Sequence, residues 1–130
     1  MKYYITNNVS DSDFKKLKYF YLNRYNEKYK KCLANTSLFC YCINVDEVVG
    51  AMRIITDMGR FAFIVDLNVA KKYRRQGIGS EIMRLVIRYC KENEIRKIFL
   101  TTNSKYPWLV RFYERLDFKI LNKGKCMVYE

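Results

Sequence analysis

The chain has 130 residues, of which 50% are hydrophobic and 16% aromatic, with one proline and five glycines. This composition is typical of one compact domain over residues 1–130 and excludes a disordered chain, which has few large side chains to bury. Every apolar run is interrupted well before the roughly 18 residues that a membrane-spanning helix needs. The first eight residues contain no signal-peptide core, so we expect a cytoplasmic protein with no membrane partner.

The chain is strongly basic, with 25 Lys and Arg against 13 Asp and Glu and a net charge of +12. Such a chain can bind nucleic acid, an anionic membrane or a phosphorylated small molecule. The densest basic block consists of Lys71, Lys72, Arg74 and Arg75. It is either an anion-binding patch or a solvated turn, and the charge run alone does not distinguish them.

The five cysteines and the absence of histidine limit the chemistry of this protein. A zinc site with His ligands, a Ser-His or Cys-His nucleophile pair and a histidine general base are all excluded. Cys40 and Cys42 alternate within an apolar run and therefore share one face of a predicted strand. We interpret them as buried, reduced thiols.

Helical and strand patterns follow one another in the first half of the chain. Ser10 and Asp13 have the spacing of a capping box, and the apolar residues that follow predict a helix over 11–31. Three predicted strands come next, at 38–44, 48–56 and 61–69. The turns between them are short, so we expect an antiparallel meander.

The second half begins with an amphipathic pattern of about four turns that starts at Ile78. A strand at Lys97–Thr102 follows this helix and predicts a parallel pair with 61–69 through a β-α-β crossover. Pro107 suits the first turn of another helix. A short hairpin is predicted to end the chain, with strands at Phe118–Leu121 and Lys125–Tyr129.

The most informative segment is the loop between the strand 61–69 and the helix that begins at Ile78. Gly77 and Gly79 stand at the helix start, where free backbone N–H groups and the helix dipole attract anions. A pyrophosphate fits such a loop, because glycine lets it approach the backbone closely. Two glycines at a helix start can also serve only a tight turn.

The residues Arg74-Arg75-Gln76-Gly77-Ile78-Gly79 have the pattern R-x-x-G-x-G and follow a strand that ends in Leu67-Asn68-Val69. This resembles the acetyl-CoA pyrophosphate motif of the GNAT superfamily of N-acetyltransferases. No Gly-Lys-Ser/Thr follows, as a P-loop requires, and the third glycine of a dinucleotide fingerprint is missing. The segment Leu109–Phe118 is similar to the late helix of the family, with Asp117 at a usual glycine and Tyr106 at a usual asparagine.

The resemblance implies an α/β (α+β) GNAT-like fold. Its central sheet would be mixed and twisted, with an antiparallel N-terminal meander, a parallel β-α-β core and flanking helices. The two parallel strands would form the arms of a V that admits the pantetheine of acetyl-CoA, with a bulge near Asn68 splaying them. Acetyl-CoA is the implied co-substrate, and no metal is expected. The implied binding residues are Leu67, Asn68, Val69, Arg74, Arg75, Gln76, Gly77, Ile78, Gly79 and Ser80.

The implied reaction moves an acetyl group from acetyl-CoA to a primary amine of a small molecule or peptide, by direct attack in a ternary complex. A backbone N–H near Val69 would stabilise the developing charge on the acetyl oxygen. The resemblance places the Tyr113 hydroxyl near the sulfur as general acid, although its spacing with Leu109 and Phe112 also fits core packing. Asp66 is the best charged candidate for a base, with a solvent-facing or capping role as the alternative. A water relay would serve equally well.

The acceptor would be bound by the first helix and the loop around residues 22–37, which carry no transferable motif. Arg53 and Asp57 stand where acceptor specificity is often decided in this family, and a surface salt bridge explains them equally well. One alternative function is a basic binding module, but no RNA-binding aromatic motif stands on a strand, so nucleic acid is not the expected partner. Another is a non-catalytic acyl-CoA-binding domain. Pairing through a sheet edge or the C-terminal hairpin would allow a homodimer.

Overall fold

A computed structural model describes residues 1–121, 124 and 127–130. The described part of the chain forms helices and strands in alternation. In chain order they are β1 (Lys2–Thr6), α1 (Asp11–Leu22), α2 (Tyr29–Ala34), β2 (Leu38–Asn44), β3 (Glu47–Thr56), β4 (Phe61–Val69), a 3-10 turn (Lys71–Tyr73), α3 (Ile78–Glu92), β5 (Lys97–Phe99) and α4 (Pro107–Glu114).

The strands form one mixed sheet in the order β1-β2-β3-β4-β5. The pairs from β1 to β4 are antiparallel, and β4 pairs with β5 in parallel through the α3 crossover. The predicted meander and β-α-β unit are therefore confirmed. β1 was not predicted, because its five residues Lys2–Thr6 do not alternate clearly between polar and apolar types, and its pairing with β2 is what makes it a strand.

The predicted helix over 11–31 is wrong in its length, because the chain forms two helices there. α1 ends at Leu22, and Asn26 accepts the Lys28 N–H on its side-chain oxygen at 3.0 Å. Asparagine competes with the helix in this way by bonding nearby backbone groups, so α2 starts only at Tyr29.

The end of the chain also differs from expectation. β5 ends at Phe99 rather than at Thr102, and Phe118–Leu121 forms no strand. Residues 127–130 are not a strand either. The rest of the predicted hairpin, at 122, 123, 125 and 126, lies outside the described residues.

The sheet carries helices on both faces. On one face, α1 buries Leu17, Phe20 and Tyr21 against Phe39 and Tyr41 of β2. On the other face, the Cys40 thiol lies 3.8 Å from the Ile82 carbonyl oxygen of α3. Cys40 and Cys42 are buried free thiols, as predicted, and burial raises the pKa of Cys40 to about 12.

Contacts divide the chain into two compact units, Met1–Leu100 and Thr101–Glu130. The first contains the whole sheet with α1, α2 and α3, and the second contains α4. One domain over residues 1–130 stays a prediction. Among the helices of the described residues, none has both the length and the apolar character to cross a membrane.

Gly50 tests how closely α3 packs on β3. A Cβ at this position would lie 2.8 Å from Ile78 Cγ2 and 3.2 Å from Ile82 Cδ1. We expect Gly50→Ala to lower the free energy of unfolding by about 1–3 kcal/mol, measured by urea denaturation, because the added methyl group would overpack the core. Gly59→Ala is the matched control, since a Cβ there meets nothing within 4 Å. Equal stability of the two variants would contradict this packing.

Candidate active site

A bulge interrupts β4 two-thirds of the way along the strand. Ala51 of β3 pairs with Asn68 and Arg53 pairs with Val65, so β4 contains one extra residue in this interval. Asp66 lies there with φ +56°, a left-handed backbone that residues other than glycine rarely adopt. The bulge expected near Asn68 is thus confirmed. Such a bulge bends a strand and changes the direction of its remaining residues.

Beyond the bulge, one edge of β4 is not covered by its neighbour. β5 pairs with β4 only from Phe61 to Phe63. The Ala70 N–H donates to the Val49 carbonyl at 2.8 Å, so Val69 occupies the next, non-hydrogen-bonded position opposite Gly50. The Val69 N–H therefore points away from β3, toward the side where pairing with β5 has already ended.

From this edge, the 3-10 turn and a short loop lead to the N-terminus of α3. Gly77 is the N-cap at φ +83°, and a Cβ there would meet nothing within 4 Å, so the space beside Gly77 is open. Glu81 makes the first helical bond, to the Gly77 carbonyl at 3.0 Å. The N–H groups of Ile78, Gly79 and Ser80 come before that bond and are directed out of the helix.

The side chains of the loop support its backbone. Arg74 Nε donates to the Val69 carbonyl at 2.9 Å, and Gln76 Nε2 donates to the Lys72 carbonyl at 3.4 Å. Arg75 has a left-handed backbone at φ +63°. Arg74 therefore joins the loop to the end of β4, and of the predicted binding residues 67–69 and 74–80 only Ile78 is buried.

The Asp66 carboxylate already accepts several hydrogen bonds. Arg53 Nε donates to Oδ2 at 3.0 Å, and the Tyr29 hydroxyl donates to the same oxygen. The Tyr25 hydroxyl donates to Oδ1 at 3.4 Å. Oδ2 thus accepts two hydrogen bonds and Oδ1 accepts one long one, which leaves an acceptor position of Oδ1 open.

The tyrosines around Asp66 were not predicted as site residues. Tyr25 and Tyr29 stack with their ring centroids 4.3 Å apart, and the Tyr21 hydroxyl donates to the Asp66 carbonyl at 3.1 Å. Burial raises the pKa of both Tyr21 and Tyr29, which keeps the hydroxyls neutral and able to donate. The spacing of tyrosines at 21, 25 and 29 was the available signal, together with one Asp inside an apolar strand.

Arg53 and Asp57 both have roles other than a surface salt bridge. Arg53 is buried, with 9% exposure. Burial acts to lower its pKa, but Tyr29 and Asp66 outweigh that effect and raise it. Asp57 lies in the turn between β3 and β4 and accepts backbone hydrogen bonds there. These bonds, of which the one from the Gly59 N–H has the largest effect, lower the pKa of Asp57. Its Oδ1 accepts from the N–H groups of Gly59, Arg60 and Phe61 at 3.0, 2.9 and 3.2 Å.

Tyr113 lies in the second unit, on α4. Its ring contacts those of Phe112 and Phe118, with centroids 5.0 and 6.0 Å away, and burial raises its pKa above the ordinary value. Asp117 has φ +69°, so this residue takes the left-handed backbone of the glycine usual in the family. Within the described residues, no three Cys, Asp or Glu side chains cluster so as to hold a metal ion.

Comparison with known sequences gives a family match over most of the chain. Residues 6–118 match the Acetyltransferase (GNAT) family. Streptothricin acetyltransferase A of Bacillus subtilis is 31% identical over 81 residues, which are 62% of this chain and 46% of that protein. GCN5-related N-acetyltransferase 6, chloroplastic, of Arabidopsis thaliana is 27% identical over 51% of this chain and 23% of that protein. The matches thus span less than half the length of these relatives.

Solved structures share the fold over nearly the whole chain. A GNAT family acetyltransferase from Streptococcus pneumoniae TIGR4 is 26% identical, with a TM-score of 0.79 over 99% of this chain and 96% of that one. An aminoglycoside acetyltransferase from an uncultured soil metagenomic sample, solved with sisomicin, has a TM-score of 0.72 at 15% identity. The match covers 98% of this chain and 95% of that protein, and at 15% identity it shows the fold alone. By its family match, this chain belongs to the GNAT acetyltransferases, a family of acyltransferase enzymes that use acetyl-CoA.

Proposed function

We propose that this chain transfers the acetyl group of acetyl-CoA to a primary amine of a small molecule or peptide, by direct attack in a ternary complex. One observation carries the proposal beyond family membership. The uncovered edge of β4 at Val69 continues into the open glycine turn at Gly77. A thioester and a diphosphate of one extended ligand could therefore bind backbone N–H groups at the two ends of the same surface.

Residues 67–69 and 74–80 would hold acetyl-CoA, which supplies an activated acetyl thioester. The N–H groups of Ile78, Gly79 and Ser80 suit its diphosphate, because the helix dipole favours negative charge at this end. Arg75 adds positive charge from the loop. The Val69 N–H would bond the acetyl oxygen and stabilise the charge that develops there when an amine attacks.

Tyr113 is the proposed general acid for the leaving thiolate. A phenol has an ordinary pKa of about 10, and burial raises that of Tyr113 further, so the proton is present at neutral pH. Asp66 stays a candidate base through Oδ1, which accepts the Tyr25 hydroxyl at 3.4 Å and has a second acceptor position. A water path would serve equally well.

The acceptor segment, residues 22–37, is the proposed amine-binding region. Streptothricin and sisomicin appear in the names of relatives and belong in any acceptor panel. The nearby acids are already paired, Asp66 with Arg53 and Glu27 with Lys30 at 2.6 Å, which disfavours highly cationic acceptors. A cytoplasmic location and a homodimer remain predictions from the sequence.

Turnover distinguishes the proposed enzyme from its alternatives. We expect release of free CoA thiol when the protein is mixed with acetyl-CoA and a panel of streptothricin, sisomicin, lysine and a peptide with a free amino terminus. The acetylated product is identified by mass spectrometry. Binding of acetyl-CoA without turnover would indicate a non-catalytic acyl-CoA-binding domain. Failure to bind it would favour a basic binding module.

The glycine turn is tested by Gly79→Val. Acetyl-CoA at 100 times its Kd should stabilise the wild-type protein by about 2.7 kcal/mol and raise its Tm, and the variant should lose this shift because the diphosphate can no longer approach the backbone. Gly59→Val, in the turn between β3 and β4, is the control and should keep the shift. A normal Tm shift in folded Gly79→Val would show that the diphosphate binds elsewhere.

Tyr113→Phe removes one oxygen and keeps the packing with Phe112 and Phe118. If Tyr113 is the acid, the single-turnover rate should fall by about 10²–10⁴-fold while the Kd of acetyl-CoA hardly changes. Because the pKa of Tyr113 is raised, the wild-type rate should show no descending limb below about pH 10. The exposed Tyr106, changed to Phe, is the matched control. A loss below about threefold at Tyr113 removes it from the mechanism.

A further inference from the structure

Arg53 is a buried guanidinium whose donors are engaged by several partners. Removing a charged group from water is unfavourable unless it is paired and its hydrogen bonds are made. Its Nε donates to Asp66 Oδ2 at 3.0 Å and to the Tyr29 hydroxyl at 2.9 Å. Its Nη1 donates to Thr36 Oγ1 at 2.9 Å and to the Cys32 carbonyl at 3.3 Å. We refer to these five residues as the Arg53 cluster.

The Arg53 cluster joins the bulge of β4 to two parts of the proposed acceptor segment, α2 and the loop before β2. Asp66 belongs to the bulge of β4, Tyr29 and Cys32 belong to α2, and Thr36 lies in the loop before β2. α2 has only six residues, too few for its own helical bonds to hold it in place. Because both α2 and the loop behind it bond one guanidinium, Arg53 sets the position of the acceptor segment relative to β4.

The same side chain stabilises the bulge. The left-handed backbone of Asp66 persists only where surrounding contacts hold it. Here Arg53 and Tyr29 hold the carboxylate, and Tyr21 holds the carbonyl. The bulge in turn sets the direction of the Val69 N–H, which lies three residues further along the strand. A change at Arg53 would therefore disturb the alignment of the proposed acceptor with the thioester.

We propose that Arg53 is a positioning residue for acetyl transfer, which fixes the acceptor segment relative to the Val69 end of β4 through its contacts with Asp66 and α2. The inference rests on the proposed function. Among the described residues, Arg53 makes no hydrogen bond or ion pair with the glycine turn or the first turn of α3. We therefore expect it to affect the alignment of the amine and not the affinity for acetyl-CoA.

Two substitutions separate charge from geometry. Arg53→Lys keeps the positive charge, but one ammonium group cannot bond all the residues that the planar guanidinium bonds. Arg53→Met keeps a similar volume and removes the charge. For the amine turned over fastest in the panel, we expect kcat/KM to fall about 10- to 100-fold in Arg53→Lys and further in Arg53→Met. The KM for acetyl-CoA should stay within about twofold. The exposed Arg88 of α3, changed to Lys and to Met, is the control and should leave both constants unchanged.

Hydrogen exchange gives a second readout that needs no turnover. In Arg53→Lys, amides of residues 29–36 should exchange at least about tenfold faster, while those of α3 keep their protection. If Arg53→Met does not fold, Tyr29→Phe removes a single oxygen from the cluster and should produce a smaller change of the same kind.

Three results would overturn the proposal. Wild-type kcat/KM and wild-type exchange in Arg53→Lys would show that the cluster positions nothing. Equal loss of protection in α2 and α3 would show a general loss of stability. A rise confined to the KM for acetyl-CoA would place Arg53 in the other substrate site. If the wild-type protein acetylates no amine of the panel, the proposed function fails, and the exchange experiment still decides whether Arg53 holds the acceptor segment.

Discussion

The left-handed backbone of Asp66 is the constraint on which the arrangement of the site depends. One extra residue in β4 separates a regular strand, which pairs with β3 and β5, from an end that β5 does not cover. An aspartate tolerates this backbone better than most residues, and its carboxylate is neutralised by the buried Arg53. For a largely buried pair, desolvation offsets much of the Coulomb attraction, so its contribution to stability is smaller than the attraction alone suggests.

The two halves of the proposed substrate surface are supported by different parts of the core. The glycine turn depends on α3, whose buried face packs against the sheet at Gly50. The acceptor segment depends on α1 and α2, which rest on the opposite face and reach β4 through tyrosine hydroxyls. The two ends of the proposed substrate surface are therefore supported from opposite faces of the sheet.

The sequence predicted the parts of this protein in which local pattern and tertiary structure agree. The period of α3 is a local signal, so the helix could be predicted, and the glycines at its start are the local signal on which the proposed diphosphate site rests. The break between α1 and α2 could not, because Tyr25 and Tyr29 continue the helical spacing across it. Their hydroxyls instead bond Asp66, about 40 residues further along the chain.

Contacts between residues far apart in the sequence also explain the other differences between the predicted and the observed structure. β1 is a strand because β2 lies beside it, and the early end of β5 coincides with the point where its pairing with β4 stops. Arg53 stands among apolar residues of β3, and the sequence alone is compatible with a position on the surface at the edge of the sheet. Only the fold shows that its partners converge from β4, α2 and the loop before β2.

Amide NMR of the wild-type protein tests most directly whether the bulge presents the Val69 N–H to the acetyl oxygen. Titration with acetyl-CoA and with CoA separates the two ends of the surface, because only acetyl-CoA carries the acetyl oxygen. We expect the Gly79 amide to shift with both ligands, and the Val69 amide proton to move downfield with acetyl-CoA alone. A Val69 amide that responds equally to both ligands, or to neither while Gly79 shifts, would contradict this role of the bulge.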